Sequence, residues 1–565
     1  MKRAEIQVAL LITLVVIMLH AVRLHYAGAL WRDEAGAVEI ARLPTLGEIH
    51  ARFPHEAFPL VFPCTLRSYI ALAGGGDFTL RLFGMLIGIA IVGALWLNAR
   101  AAGGVPLVSL ALLGFHPYFL VFGDSLRGYG LGVLLILLTL GAFSRLVARP
   151  ARSTAAVAAL LALLSVHCLL HNSAMLLGIA TAAAAVGAVR GRWRLTAAAL
   201  GIGFLAALSL LPYRGPLTTA RQWDMLLTQE IAARKILYRS LDALAAPHRL
   251  TAWIWLLLLV AAVVMTIRAR AAAEPGAAGD PAAADARLFH LLVIPAAMAA
   301  QYGFFTVLRY TPRPWYLLPV IALTASALDS LFILAERSPA SRRIRLAIPA
   351  LMGVVALPGT VQEATVRMTN VDLVTRKLAR EVQPRDLVLV DQWFYGVSFN
   401  RYYRGPAVWM TLPDLSDHRF HRYDLVKARM TARDPLQGVL DAIQSTLRNG
   451  HAVWWITGRD VSLVNPLPVR LPPAPYAASG WSDVPYYRSW TWQVEDFLNR
   501  HARLKTAPLF IDPGQPVSRY ESLTIRRFQS PDRFLTSRRS VSAGNREAAS
   551  RSPWRPVSPA WPASP

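Results

Sequence analysis

The sequence predicts a polytopic α-helical membrane protein with a small α/β domain near its C-terminus. The chain has 565 residues, of which 54% are hydrophobic. Apolar stretches long enough to cross a bilayer, which takes about 20 residues, recur through its first two-thirds. After about residue 360 the composition changes to that of a soluble domain. Together these observations exclude an ordinary soluble enzyme.

Low charge over sufficient length predicts eleven spans. They cover about residues 6–29, 78–98, 104–122, 129–147, 154–170, 172–190, 195–213, 251–267, 288–308, 314–334 and 344–360. Clusters of arginine lie in alternate connections, and every cluster is cytoplasmic if the N-terminus is cytoplasmic. We therefore expect a protein of the cytoplasmic (inner) membrane whose C-terminal region lies on the outer side. Residues 271–286, rich in Ala, Gly and Pro, are predicted to be a flexible linker.

Nearly all the positive charge behind the net charge of +25 is arginine, and the arginine clusters between the spans are topology signals that attract anionic lipid head groups. No nucleic-acid partner is therefore expected. Cys64 and Cys168 have neither a CxxC nor a Cys/His spacing. Neither a disulfide framework nor a zinc motif is predicted.

The C-terminal region, residues 361–529, is predicted to be an extracytoplasmic domain separate from the membrane domain at 1–360. Residues 386–391 and 451–456 are typical of buried strands, and residues 435–447 of a helix between them. This order predicts an α/β domain with partly parallel pairing. The Arg/Ser/Pro-rich residues 530–565 are predicted to be disordered.

The most informative motif is the run Trp31-Arg32-Asp33-Glu34, which directly follows the first span. A carboxylate at the membrane surface can act as a general base on a membrane-borne substrate. Neighbouring helical residues point about 100° apart, so one of Asp33 and Glu34 is expected to be the base. The other is then a supporting group or a metal ligand. A helix cap combined with a topology-setting charge is the structural alternative.

The loop joining the third and fourth spans supplies Asp124 and Arg127 on the same predicted side. Acids from two separate outer loops, here Glu34 and Asp124, can hold a divalent cation or share the work of catalysis and acceptor positioning. Alternatively, Asp124 caps the following helix and pairs locally with Arg127.

Further candidates for substrate contacts lie near the start of the tenth span and in the first outer loop. Arg309 and Arg313, flanked by aromatic residues, suit a phosphate group whose lipid tail lies in the bilayer. Tyr316 is also typical of an interface anchor. Arg32 beside the acidic pair and His55 in the first outer loop complete the set.

These motifs resemble those of the membrane-embedded GT-C glycosyltransferases. The resemblance is carried by Asp33-Glu34 after the first span, by Pro59-Leu60, and by residues 78–84 leading into the second span. Within that superfamily the chain is most similar to the protein mannosyltransferase and aminoarabinose transferase relatives of glycosyltransferase family 39, including the RgtA/B/C/D-like group. The similarity covers residues 1–360. The chain departs from the relatives' His-Pro-Pro-Leu-type stretch, where it has residues 55–60.

The resemblance implies a fold and an activity. It implies transfer of a hexose or pentose, with inversion, from a polyprenyl-phosphate carrier to a lipid, glycan or protein acceptor of the cell envelope. By this analogy Asp33 removes the proton of the acceptor hydroxyl, and Asp124 helps to bind the acceptor or a metal. Arg127 and Arg313 would then meet the leaving phosphate.

Two other functions fit a polytopic protein of this kind. A transporter or lipid flippase also has many spans, but it usually carries its charges near the bilayer midplane and in repeated halves. Here the charges cluster at span ends, and no internal repeat is visible. A catalytically inactive envelope-assembly partner is the second alternative, since retained acids do not by themselves establish turnover.

Overall fold

The computed structural model describes residues 2–224, 233–271, 280–309, 312–335, 339–459, 469–478 and 480–530. The helices before residue 365 are α1 (Lys2–Tyr26), α2 (Arg32–Ala41), α3 (Leu46–Ala51), α4 (Phe53–Glu56), α5 (Val61–Ala73), α6 (Asp77–Ala101), α7 (Leu107–Gly114), α8 (Gly128–Ala148), α9 (Arg152–Val166), α10 (Asn172–Val189), α11 (Trp193–Ser209), α12 (Arg214–Asp224), α13 (Ala233–Leu244), α14 (Leu250–Ala271), α15 (Pro281–Leu308), α16 (Leu318–Leu334), α17 (Pro339–Val355) and α18 (Leu357–Ala364). A π-helical turn (Phe119–Gly123) and two 3₁₀ turns (Leu211–Tyr213 and Pro314–Leu317) interrupt them.

The prediction of a polytopic α-helical membrane protein is confirmed. Within the described residues, eight helices are long and apolar enough to cross a membrane. A ninth span follows if the pair Arg342–Val355 and Leu357–Ala364, bent by 51°, crosses as one unit. Most side chains of α8 and α16 are buried, so these two helices form the centre of the bundle.

Two of the eleven predicted spans are short helices. α7 has 8 residues. Pro117 disfavours the α conformation at the residue before it, so the helix ends upstream of that residue. α9 has 15 residues, which at 1.5 Å per residue gives about 22 Å, less than the apolar thickness of roughly 30 Å. By length and composition, eight or nine helices within the described residues qualify as full crossings, where the sequence predicts about eleven spans.

The predicted flexible linker at 271–286 is helical in its last part. Residues 272–279 lie outside the described residues. α15 begins at Pro281, and the side chain of Asp280 accepts a hydrogen bond from the backbone N–H of Ala282 at 3.0 Å. An aspartate cap followed by proline at the first helical position starts a helix, so the prediction was wrong for residues 281–286. The predicted disorder of the tail falls on residues 531–565, which also lie outside the described residues.

Close packing between α6 and the π-helical turn depends on glycine. A Cβ atom built on Gly84 would lie 1.9 Å from the backbone oxygen of Asp124, and one built on Gly88 would lie 2.4 Å from the Asp124 side chain. Both contacts are far below van der Waals distance. The two glycines therefore let the Asp124 segment pack directly against α6.

We expect Gly84→Ala to destabilise the protein by about 1–3 kcal/mol, because the backbone of the π-helical turn must move to admit the methyl group. Gly93→Ala on the same helix is the matched control. A Cβ there meets no described atom within 4 Å, and alanine is the better helix former. Thermal unfolding of both variants in detergent measures the difference, and equal Tm values would contradict the packing.

The C-terminal region forms a mixed sheet with helices around it, as predicted. The strands are β1 (Leu387–Val390), β2 (Val408–Thr411), β3 (Ala452–Gly458), β4 (Leu504–Lys505), β5 (Leu509–Phe510) and β6 (Leu523–Gln529). The helices are α19 (Val371–Glu381), α20 (Tyr395–Tyr402), α21 (Tyr423–Thr431), α22 (Gln437–Arg448) and α23 (Val484–His501). The strand order is β2-β1-β3-β6-β4, with β5 also paired to β6. β1 is parallel to β2 and β3, whereas β6 is antiparallel to β3.

This α/β domain is docked on the end of the helical bundle where α1 ends and α6 begins. The Tyr402 hydroxyl accepts from the backbone N–H of Leu30 at 2.7 Å and donates to Asp77 at 2.6 Å. Arg401 pairs with the same carboxylate at 2.8 Å. Beside this junction lies an open cleft of about 420 Å³, whose charged lining includes Glu39 and Arg42. The domain boundary at residue 360 stays a prediction, and α18 runs through it.

The sheet domain contains a buried acid, Asp391, at the end of β1. Its Oδ1 accepts a hydrogen bond from Thr491 at 2.9 Å, and burial raises the pKa of its carboxyl to about 8. The unfolded chain ionises this group near pH 4, whereas the folded chain keeps it protonated up to about pH 8. Wild-type stability should therefore fall as the pH rises through that interval and level off above it.

We expect Asp391→Asn to remove this pH dependence, because the amide has no proton to lose. The difference between the Tm of the variant and the Tm of wild type should be at least about 2 °C larger at pH 8 than at pH 5. A change of roughly 1 kcal/mol produces a shift of that size. The exposed Asp441 on α22 supplies the control Asp441→Asn. A constant difference between Asp391→Asn and wild type at all pH values would contradict the prediction.

Candidate active site

Four chain segments meet where the bundle contacts the α/β domain. The first turn of α2 brings Asp33, and the residue preceding α8 brings Arg127. Glu56 comes from the short helix α4, and His421 from the loop between β2 and α21. Three segments from the first quarter of the chain and one that is 365 positions from Glu56 therefore build one polar cluster, which we call the carboxylate cluster.

Asp33 lies at the partly exposed edge of this cluster, with its side chain 19% exposed. Its Oδ2 is 3.8 Å from an Arg127 nitrogen, and its Oδ1 is 3.7 Å from Nε2 of His421. Burial alone would raise the pKa of the Asp33 carboxyl. Electrostatic interactions with Arg127, His421, Arg32 and Arg313, the largest named first, outweigh burial and lower that pKa from its ordinary value. Asp33 is therefore an ionised carboxylate that can accept a hydrogen bond or a proton.

Arg127 holds the cluster together. Its Nη1 donates to Glu56 at 2.5 Å and to the backbone carbonyl of Asp33 at 3.1 Å. Its guanidinium lies over the ring of Phe58, 4.6 Å from the centroid. Burial opposes the charge of this guanidinium, but Asp33 and Glu56 prevail and raise its pKa above the ordinary value. Nη1 of Arg127 thus links the Glu56 carboxylate to the backbone of Asp33.

Glu56 and His421 form the inner part of the cluster. Nδ1 of His421 lies 2.8 Å from Oε1 of Glu56. Since a carboxylate can only accept a hydrogen bond, Nδ1 carries the hydrogen of this pair. The backbone carbonyl of His421 accepts from Nδ1 of His55 at 2.8 Å. His55, predicted as a substrate contact, therefore holds the His421 loop, and it stacks on Trp223 with ring centroids 4.7 Å apart.

Glu34 points away from Asp33 into the bundle. It is fully buried, and its Oε1 pairs with Arg81 at 2.6 Å and accepts from the backbone N–H of Leu126 at 3.2 Å. Arg81 also donates to the carbonyls of Gly28 and Ala29. The adjacent acids thus have separate surroundings, one facing the carboxylate cluster and the other the protein interior.

Asp124 does not lie beside Arg127, and the predicted local pair is absent from the described contacts. Its Oδ2 is 2.8 Å from Nδ1 of His20 on α1, and its side chain is 8% exposed. The π-helical turn directs this carboxylate toward α1 and α6 instead. Among the described residues, no group of three or more His, Cys, Asp or Glu side chains is placed to hold a metal ion.

The other residues predicted to contact substrate have different surroundings. Arg32 anchors the α/β domain, since its backbone N–H donates to Glu521 at 2.9 Å and its guanidinium lies 4.7 Å from the ring centroid of Phe394. Arg309 is exposed at the end of α15. Arg313 is also exposed, yet it lies close enough to Asp33 to lower the pKa of that carboxyl. Tyr316 stacks on His171 with ring centroids 4.9 Å apart.

Sequence reasoning did not assign roles to Glu56 and His421. Glu56 was visible only as the neighbour of His55. His421 sits in residues 417–424, a run in which His, Arg, Asp and aromatic side chains alternate without apolar periodicity. Such a dense polar run in a loop is a usable signal of function. Its partner, however, is 365 positions away, and no local pattern indicates a contact at that separation.

Comparisons with known proteins add a similarity in fold. No family model matches the sequence, and no curated protein matches it. A crystal structure of ArnT from Cupriavidus metallidurans bound to undecaprenyl phosphate is 14% identical, and the match covers 80% of this chain and 93% of that chain with a TM-score of 0.49. The apo structure of the same protein is 15% identical, with the same coverage and TM-score. The solved structures that this chain is similar to thus include those of ArnT.

Proposed function

We propose that this chain is an integral membrane glycosyltransferase that moves a sugar from a polyprenyl-phosphate donor to an acceptor hydroxyl, with inversion. The observation that carries the proposal is an ionised, partly exposed Asp33 beside arginines at the end of a bundle of membrane-length helices. A base and a cationic phosphate contact are the two groups that this reaction needs. A lipid donor explains why they lie at the end of the spans.

In the proposed reaction, Asp33 removes the proton of the acceptor hydroxyl while the hydroxyl oxygen attacks the anomeric carbon. The bond from this carbon to the phosphate oxygen breaks, and its electron pair leaves with the phosphate. Arg313 is exposed and electrostatically coupled to Asp33, which suits contact with the departing anion. Nη1 of Arg127 donates to Glu56 and to the backbone carbonyl of Asp33, so we assign Arg127 chiefly to orienting the base.

We further propose that the reaction takes place on the outer face of the cytoplasmic membrane. The support is the distribution of arginine between the spans, which favours a cytoplasmic N-terminus. The α/β domain is docked where α1 ends and α6 begins. A cytoplasmic start of α1 therefore puts both this domain and the carboxylate cluster outside.

The test is a transfer assay in proteoliposomes. Purified protein is reconstituted with a panel of radiolabelled undecaprenyl-phosphate sugars, and a crude envelope extract supplies the acceptor. We expect loss of label from one lipid donor and its appearance in acceptor material, with Asp441→Asn as active as wild type. Movement of intact labelled lipid between leaflets without sugar release would favour the flippase alternative. No change with any donor would favour the inactive-partner alternative.

A further inference from the structure

The imidazole of His421 lies between two carboxylates. Its Nδ1 is 2.8 Å from Oε1 of Glu56, and its Nε2 is 3.7 Å from Oδ1 of Asp33. The Glu56 contact fixes the hydrogen on Nδ1. When the imidazole is neutral with its hydrogen there, the lone pair on Nε2 faces the carboxylate that the proposed reaction protonates.

The surroundings of this imidazole restrict both its rotation and its access to water. The ring is 7% exposed. It packs edge-on against Trp393, with centroids 5.9 Å apart at 86°, and lies parallel to Tyr423 at 5.9 Å and 19°. All four segments place charged or titratable groups around the His421 imidazole. These groups are Asp33, Arg32, Glu56, His55, Arg127, Arg422, Tyr423 and Asp424. Of these, Glu56 and Asp33 face the ring nitrogens.

We propose that His421 is a proton-relay residue that receives, at Nε2, the proton that Asp33 removes from the acceptor hydroxyl. This inference rests on the proposed function. The O–H bond of the acceptor breaks, its proton passes through Asp33 to Nε2, and Asp33 is again a carboxylate. The resulting imidazolium keeps its Nδ1–H on Glu56, whose negative charge stabilises it. The proton then leaves to water when the product departs, so no oxidant or co-reactant is needed.

The relay removes a weakness in the use of Asp33 alone. Arg127 and its neighbours lower the pKa of the Asp33 carboxyl, which keeps this group ionised but makes it a weak proton acceptor. Transfer of the proton from Asp33 to Nε2, 3.7 Å away, returns Asp33 to the ionised form that its neighbours favour. The gap of 3.7 Å exceeds an ordinary hydrogen bond, and catalytic contacts of this kind commonly shorten when substrate binds.

A structural role is the competing explanation, because the same contacts also attach the α/β domain to the bundle. The two roles differ in what they require of Nε2. A purely structural His421 needs only the Nδ1–H bond to Glu56. A relay needs Nε2 free of hydrogen in the resting protein and able to take a proton from the Asp33 side.

The first experiment needs no turnover. Protein labelled with ¹⁵N-histidine is reconstituted, and the His421 signals are assigned by their loss in His421→Gln. We expect Nδ1 to carry the hydrogen and Nε2 to carry none in resting wild type, and we expect Glu56→Gln to change this tautomer distribution. A hydrogen on Nε2 in the resting protein, with or without one on Nδ1, would overturn the relay, whether or not the chain is a glycosyltransferase.

The second experiment uses sugar transfer and a matched histidine. His418 lies in the same loop, but its ring packs 4.5 Å from that of Trp409, so His418→Gln should transfer at the wild-type rate. His421→Ala should transfer about 10²-fold more slowly. Added imidazole should restore much of the rate, increasingly as the unprotonated fraction of imidazole rises with pH. A folded His421→Ala that is unimpaired, or that imidazole does not rescue at any pH, would overturn the relay. Absence of transfer by wild type would contradict the proposed function and leave the ¹⁵N result to decide the relay.

Discussion

Replacing Asp33 by asparagine should reduce sugar transfer by about 10²–10⁴-fold, the range that a general base contributes. Asparagine keeps the size of the side chain and leaves in place the hydrogen bond from Arg127 to the backbone carbonyl of residue 33, but it cannot take up a proton. The loss should therefore appear in kcat more than in KM. The reconstituted transfer assay measures both constants, with Asp441→Asn on the exposed face of α22 as control.

The stability of Asp33→Asn separates a chemical from a structural role. Asp33 is partly exposed, and its nearest charged partners are at 3.7–3.8 Å, so the variant should unfold within a few degrees of wild type. Transfer by a folded Asp33→Asn at the wild-type rate would remove this residue from the mechanism. Glu34 would not replace it as the base, because that side chain is fully buried against Arg81.

The pH dependence provides a further criterion for the same residue. Because neighbouring positive groups lower the pKa of the Asp33 carboxyl, this group stays ionised at every pH above the ordinary value for aspartate, about 3.9. The decrease in kcat/KM that protonation of Asp33 causes (the acid limb of the pH profile) should therefore lie below pH 4. In Arg127→Gln the limb should move to higher pH, since the strongest of these positive charges is removed.

The membrane architecture was predictable because bilayer thickness sets the length of each span, and a span is therefore visible as a long run of consecutive apolar residues. The sheet domain was predictable for a similar reason, since β1 and β3 are short buried runs with a helix between them. The shortness of α7 was less visible. Its ends depend on local backbone chemistry around Pro106 and Pro117 within a stretch that is apolar throughout.

The candidate site was predictable only in part. The run at Asp33 is conspicuous because two adjacent carboxylates directly follow the long apolar stretch of the first span. The partners of each acid were not predictable. Asp124 pairs with His20, 104 positions away, and not with Arg127 in its own loop. His421 reaches Glu56 from the other end of the chain. These pairings follow from how α1, α6 and the α/β domain pack, and no local sequence pattern encodes that packing.

The buried pair of Glu34 and Arg81 should have the largest effect on stability. Arg81 is 6% exposed, and besides Glu34 it binds the carbonyls of Gly28 and Ala29 at 3.2 and 2.7 Å. We expect Arg81→Met to cost about 3–5 kcal/mol, because it leaves a buried carboxylate and two carbonyls without their donor. Thermal unfolding in detergent measures the loss. Arg42→Met is the control, since the Arg42 side chain is 40% exposed and its pairing with Glu39 is worth at most about 1 kcal/mol.

A second substitution tests whether the cost comes from the uncompensated carboxylate. In Glu34→Gln combined with Arg81→Met the buried charge is gone, so the double variant should be more stable than Arg81→Met alone. If the double variant is no more stable than Arg81→Met, the carbonyls and not Glu34 carry the effect. Either variant should also lose sugar transfer beyond what partial unfolding explains. Arg81 fixes the turn from which α2 starts, and a displacement of about 1 Å in the base can cost roughly 10²-fold in rate.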